Sequence, residues 1–260
     1  MKKVLYVIVF AFTMSSAAAA ADECVADTPG LLFASCAGQS SAELALNPED
    51  TVIARPDLPS SASGLIVTGS YTSGDRHEPE GLYIGKGKVL DPYIQGWDGL
   101  ALIDRAGRLS LHHVERVTKD GERWNLRRRL ARLAFVSRTK AEKWSALQSH
   151  LLIVDGRVDT KPRDGARRFR RRVLFSLADG SYGVWQSQVP LTLHDATVDV
   201  AERFAPVMAL NLDMGSHDFC ERFESGKTMQ CGLLDLDQTG ILSNVIVFSQ
   251  EPRKLSQKGH

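Results

Sequence analysis

The sequence predicts an α+β fold, a single domain in which a curved, mostly antiparallel sheet packs with a few helices. Three observations predict it. Short apolar runs interrupted by glycine or Asp-Gly recur through the middle of the chain, as in "GLYIGKGKVL", "LALIDRAGRLSLHHV" and "RRVLFSLADGSYGVW", which is the pattern of hairpins. The segment "LTLHDATVDVAERFA" then switches to a helical period. Directly after it "PVMALNLD", Pro206 to Asp213, is nearly all apolar up to its final acid, as in a strand buried on both faces.

In chain order, the first element is a leader. "MKKVLYVIVFAFTMSSAAAAADE" has two lysines, an apolar run and a small-residue tail, the layout of a secretory signal peptide over residues 1–21. The apolar run falls short of the roughly 20 residues that a membrane-spanning helix needs. The expected product is therefore periplasmic or secreted, with no membrane association after cleavage. In all, 32 Lys and Arg stand against 31 Asp and Glu, and removal of Lys2 and Lys3 leaves the balance near zero. A nucleic-acid partner is not implied, and the oligomeric state is left open.

Residues 22–63 are rich in Ala, Ser and Pro and end in "RPDLPSSAS", which reads as an irregular lead-in. The domain proper is expected over residues 64–250, beginning with the strand "GLIVTG", Gly64 to Gly69. The two glycine-turned hairpins follow, then a short helix over Ala141 to Leu147 and a buried strand over Leu151 to Val154 that ends at an Asp-Gly turn. Arg127 to Arg132, with Leu126, Leu130 and Leu133 interleaved, decorates the outside of an amphipathic element. Asp179 and Gly180 turn the next hairpin. Thr192 is placed to cap a helix, with Asp195 three residues on and Leu193, Ala196, Val200 and Phe204 along one face. "ILSNVIVF" supplies a closing strand, and residues 251–260 form a flexible tail.

The four cysteines fall into two local pairs, Cys24 with Cys36 and Cys220 with Cys231. In an oxidising compartment this spacing favours two local disulfides, although four cysteines allow three connectivities. Neither pair has the CxxC spacing of a zinc site, and His112 and His113 lack metal-ligand spacing. No metal and no cofactor are expected.

The chemistry concentrates in "ALNLDMGSHDFC". Asp213 stands at the end of a buried strand, where a carboxylate faces a crevice and partial desolvation brings it toward acid-base work. An aspartate there equally suits capping of the following loop through backbone N–H groups. His217 offers a near-neutral pKa for proton transfer, against the plainer reading of a polar loop held by Cys220 and Cys231. Ser216, His217 and Asp218 do not make a hydrolase triad by adjacency alone. The arginine run Arg167, Arg168, Arg170, Arg171 and Arg172 would, on a strand, divide its members between two faces. One face could clamp a phosphate, and a solvated edge strand is the alternative.

Several segments, taken in order, resemble the phosphodiester glycosidase family, the N-acetylglucosamine-1-phosphodiester alpha-N-acetylglucosaminidase-like and exopolysaccharide-related proteins. "ALQSHLLIVDGRV" resembles the family's "QSGPLLVxDG", and "LTLHDATVDVAERFAPVMALNLDMGSHDFC" resembles its helix followed by "ALNLDGGGSS". "EGLYIGKGKVL", "RRFRRRVLFSLADGS" and "ILSNVIVF" are similar to its "GLxIxxGK", "RRxxVGxxxDG" and "PxxNAIVV" elements. The resemblance spans Gly64 to Phe248. It implies a hydrolase of glycosyl phosphodiesters or related envelope and exopolysaccharide glycan bonds, with a glycan or sugar-phosphodiester ligand. Asp213, Arg172 and His217 would be catalytic, and Gln148, Ser149, Arg168, Asn211, Ser216 and Asn244 would bind substrate. The chain has "TGSYT" where the family has "NGGFF", and "DMGSHD" where it has "DGGGSS". Those departures support a second reading, a catalytically inactive glycan-binding module of the same fold.

Overall fold

The computed structural model describes residues 28–35, 40–45, 63–74, 77–224 and 226–250. The leader, the Cys24 to Cys36 pairing and the tail after residue 250 lie outside these residues. Three antiparallel sheets carry the architecture.

The first sheet contains β1 (Leu31–Ala34), β11 (Leu151–Val154), β12 (Arg157–Val158), β13 (Arg172–Ser176), β14 (Tyr182–Gln186) and β15 (Met208–Leu212), in the order β1-β14-β13-β15-β11-β12. The second is β5-β4-β10-β6-β7, formed by β4 (Tyr83–Gly85), β5 (Lys88–Asp91), β6 (Gly99–Ile103), β7 (Leu109–His113) and β10 (Ser145–Ser149). The third is β17-β16-β3-β18-β2, formed by β2 (Ser40–Ala45), β3 (Ser63–Thr68), β16 (Cys220–Glu224), β17 (Lys227–Gln230) and β18 (Val245–Gln250). A small ribbon pairs β8 (Val117–Lys119) with β9 (Glu122–Trp124). Among the described residues, two α-helices, α1 (Arg129–Glu142) and α2 (Leu193–Phe204), complete the α+β arrangement.

The period of two sorts each strand between layers. Leu65 and Val67 of β3, Ala101 and Ile103 of β6, and Leu210 and Leu212 of β15 meet in one cluster shared by all three sheets. The alternate residues face outward into separate layers. Leu100 and Leu102 pack with Trp124, Phe135 and Trp144 beside α1, and Ala209 packs with Ala196 and Val200 of α2. Both faces of β15 are thus covered, which is why its sequence is continuously apolar.

α2 begins as its sequence predicts, with the Thr192 hydroxyl accepting the backbone N–H of Asp195 at 3.0 Å. α1 does not match the expected helix over Ala141 to Leu147: the helix ends at Glu142, Lys143 turns the chain in a left-handed conformation (φ 56°), and residues 145–149 form β10. The reason is local. "RLARLAFVSRTKAE" is built of good helix formers but buries only Phe135 and Thr139, so its apolar period is faint, whereas "SALQS" is buried throughout between two strands. The stretch expected to be an irregular lead-in also holds β1 and β2, each paired to a core strand.

The turns follow their chemistry. Lys86 and Gly87 both take positive φ between β4 and β5, as do Asp155 and Gly156 after β11, the requirement of a type I′ hairpin turn.

Candidate functional site

β15 delivers Asp213 to the mouth of a cleft of about 360 Å³, lined by Tyr71, Phe169, Arg170, Arg171 and residues 211–217. The aspartate is nearly buried. Its backbone N–H donates to the Gly69 carbonyl at 2.9 Å, its Oδ2 accepts the N–H of Thr72 at 3.1 Å, and its Oδ1 accepts the N–H of Met214 at 2.9 Å. The loop-capping reading is therefore part of the answer, because the same carboxylate fixes two loops and borders the cleft.

Burial pushes the Asp213 carboxyl up from 3.8 to about 7; the nearby charge of Glu80 adds to the rise, while the two N–H donors and Arg172 oppose it. His217 Nδ1 lies 3.5 Å from Asp213 Oδ2, and its pKa is lowered, first by burial and then by His77. Burial thus favours the uncharged form of both groups. Ser216 Oγ stands 3.4 Å from the same ring nitrogen. Asp218 faces away to Arg172, so these adjacent residues do not form a triad.

The "TGSYT" loop after β3 is tied down across the fold. Asn244 accepts the Ser70 N–H at 2.9 Å and donates to the Ser70 carbonyl and hydroxyl. A Cβ on Gly69 would come within 2.3 Å of Asn244 Oδ1, so this glycine is required by close approach. Thr72 and Ser243 share a hydroxyl contact at 2.8 Å, and Asn211 Nδ2 donates to the Tyr71 hydroxyl at 2.7 Å. In the other altered element, Met214 has extended backbone (φ −149°) that any residue adopts, and the left-handed conformation falls on Gly215 (φ 81°).

Of the residues singled out in the sequence, Asp213, His217, Asn211 and Ser216 come together on the cleft. Arg172, Arg168, Gln148, Ser149 and Asn244 do not line it. Arg172 is 0% exposed and spends its guanidinium on Asp218 Oδ1 (2.6 Å), Gln186 Oε1 (3.0 Å from Nε) and the Phe219 carbonyl (3.0 Å). Arg168 lies on the surface, 3.4 Å from Asp195. Ser149 donates to the Asn211 carbonyl. Gln148 spends its amide on the backbone of Leu82, Gln95 and Trp97. Of these, Ser149 braces Asn211 and Asn244 braces the loop that carries Tyr71, so both support the lining of the cleft.

The arginines that line the cleft are Arg170 and Arg171. The faces expected for a strand fail here because β13 begins only at Arg172, leaving Arg170 and Arg171 in irregular chain. Arg171 is braced by the Leu191 carbonyl (3.2 Å), the Arg167 carbonyl (3.3 Å) and the Phe169 ring, 5.2 Å from its centroid. Arg170 has a buried Nε with no hydrogen-bond partner among the described residues. An unpaired buried guanidinium N–H beside a cleft is a donor suited to an anionic oxygen.

Cys220 and Cys231 form a disulfide, 4.9 Å between Cα atoms, at the far end of the 214–219 loop. Among the described residues no cluster of His, Cys, Asp and Glu is arranged to hold a metal, and no helix is long and apolar enough to cross a membrane.

No protein-family model and no curated protein sequence matches the chain. Among solved structures, it is similar to the catalytic domain of zebrafish N-acetylglucosamine-1-phosphodiester alpha-N-acetylglucosaminidase, auto-inhibited by its pro-peptide, at 12% identity over 82% of this chain and 73% of that one, with a TM-score of 0.48. It is also similar to a hypothetical protein from Synechocystis, at 11% identity over 83% of this chain and 57% of that one, with a TM-score of 0.47. At such identities the chemistry of the site rests on this chain's own residues.

Proposed function

We propose that the cleft hydrolyses a glycosyl phosphodiester, with Asp213 as general base. The observation that supports this most is a single carboxylate, poised at about 7 and facing the same cleft as two arginines. Water attacks the anomeric carbon and gives its proton to Asp213, while the bond from that carbon to the bridging oxygen breaks and its electron pair leaves on the phosphate. The departing phosphomonoester has a second pKa of about 6, so it needs little protonation. It needs charge neutralisation, which Arg170 and Arg171 supply. Asn211, Ser216 and His217 orient the sugar and the water. The disulfide suits an oxidising compartment, in keeping with a periplasmic or secreted enzyme.

A second reading, a glycan-binding module without turnover, draws on one observation: among the described residues lining the cleft, Asp213 is the sole acid. Ordinary glycoside hydrolysis uses two carboxylates. The phosphate leaving group removes the need for the second, which is why hydrolysis is preferred. Release of sugar and phosphomonoester from a panel of sugar-1-phosphodiesters tests the choice. Turnover abolished in Asp213→Asn supports the hydrolase; binding without turnover in either protein supports the module.

A further inference from the structure

Beside the cleft three half-buried rings converge. Tyr71 and Trp97 stand 4.5 Å apart between centroids, Tyr71 and His150 5.7 Å, and Trp97 and His150 5.6 Å, all at steep interplanar angles. Tyr71 comes from the "TGSYT" loop, Trp97 from the loop between β5 and β6, and His150 from the junction of β10 and β11. None belongs to the four apolar clusters that form the core. The other tryptophans, Trp124, Trp144 and Trp185, are 5%, 3% and 2% exposed, so Trp97 alone is not buried in the core.

The cluster is held rigidly. Gln148, itself fully buried, accepts the Gln95 N–H at 2.9 Å and donates to the Gln95 and Trp97 carbonyls. Arg127 reaches the carbonyls of Gln95 (2.7 Å), Gly96 (3.3 Å) and Trp97 (3.1 Å) and the side chain of Asp98. Gly81, at φ 79°, backs the Trp97 ring so closely that a Cβ there would lie 3.3 Å from it. Two polar side chains and a glycine thus fix a loop whose tryptophan ring is half-buried and belongs to no core cluster.

We propose that Trp97, Tyr71 and His150 form an aromatic platform that holds a pyranose ring of the substrate by its apolar face. Sugars present C–H groups on one face and hydroxyls at the rim, and rings with a wet edge accommodate both. Tyr71 belongs to both sites, since it is in the ring cluster and lines the Asp213 cleft. A pyranose on the platform thus sits next to the cleft lined by Asp213, Arg170 and Arg171. The assignment to substrate rests on the glycosyl phosphodiester reading, whereas pyranose binding itself can be measured without it.

The test uses methyl pyranosides of glucose, mannose and N-acetylglucosamine, with dimethyl phosphate as a sugar-free comparator. Tryptophan fluorescence should change with at least one pyranoside and remain flat with dimethyl phosphate. Trp97→Phe should abolish the signal yet keep calorimetric affinity, and Trp97→Ala should weaken binding roughly tenfold, as expected for loss of one aromatic stack. A Trp97→Ala protein with unchanged melting and unchanged pyranoside affinity overturns the platform, as does the absence of pyranoside binding in the native protein. Pyranoside binding through Trp97 with no diester turnover keeps the platform and removes the hydrolase. Diester turnover insensitive to Trp97→Ala does the reverse.

Discussion

The backbone N–H of Thr72 donates to Asp213 Oδ2 at 3.1 Å across 141 residues of chain. That bond joins the loop after β3 to the end of β15 and holds in place a carboxylate that burial would otherwise keep neutral. The opposition of these effects makes Asp213 visible in the stability of the protein. An ordinary aspartate ionises near 3.8, and folded Asp213 near 7. The folded state therefore binds this proton more tightly than the unfolded state. Its contribution is fully present below about pH 4, declines as pH rises and is lost once pH passes 7, a change of at most about 4 kcal/mol. Urea unfolding at pH 5 and pH 8 should show native stability falling relative to Asp213→Asn by part of this amount; a constant difference between the two proteins contradicts it.

Arg172 and Asp218 are 0% and 1% exposed, and each is the other's counter-charge. Removing one partner leaves the other charged and buried, at a cost of about 3–5 kcal/mol. Arg172→Met should therefore lower the urea midpoint sharply, and the double variant Arg172→Met with Asp218→Leu should regain much of the loss. A double variant no better than the single one contradicts the pairing.

Gln148 satisfies two N–H groups, those of Leu82 and Gln95, through one oxygen. Gln148→Leu strands both, each at roughly 1–3 kcal/mol if it stays buried. Hydrogen exchange should accelerate at residues 95–98 more than in β10 itself, which keeps its ladder to β6.

The Cys220 to Cys231 bridge closes a separation of 11 residues, for which about 2–4 kcal/mol is typical. Cys231 also receives the Gln186 side chain on its carbonyl and donates its N–H to the Cys220 carbonyl. A Cys220→Ser, Cys231→Ser variant should melt earlier and lose activity through the 214–219 loop. Reductant should lower the melting point of the native protein by more than it lowers that of the variant, which keeps Cys24 and Cys36.

The parts of the fold visible in the sequence were those with strong local signals. Thr192 and Asp195 mark a cap by spacing alone, and "VMALNLD" is legible because both faces of β15 are covered. α1 was hidden because it buries little, and β1 and β2 because alanine- and serine-rich stretches look like linker until a partner strand is present. At the site, Asp213 was legible as an acid at the end of a buried strand. Arg170 and Arg171 were not, because choosing a pocket face required knowing that β13 starts at Arg172. Tyr71, Trp97 and His150 lie in three separate segments, and no spacing joins them. Gln148, Ser149 and Asn244 were singled out by a family resemblance alone, and where they stand relative to the cleft depends on contacts between distant segments that no local pattern carries.

The most direct test of the central claim is the pH dependence of sugar-1-phosphodiester hydrolysis by the native protein, with Asp213→Asn measured alongside. A general base near 7 predicts that kcat/KM rises through about pH 7 and reaches a plateau above it, and that the variant lacks this rise and loses a factor of roughly 10²–10⁴. A native profile flat through pH 7, or an Asp213→Asn protein with undiminished turnover, would contradict the assignment of Asp213 as the base.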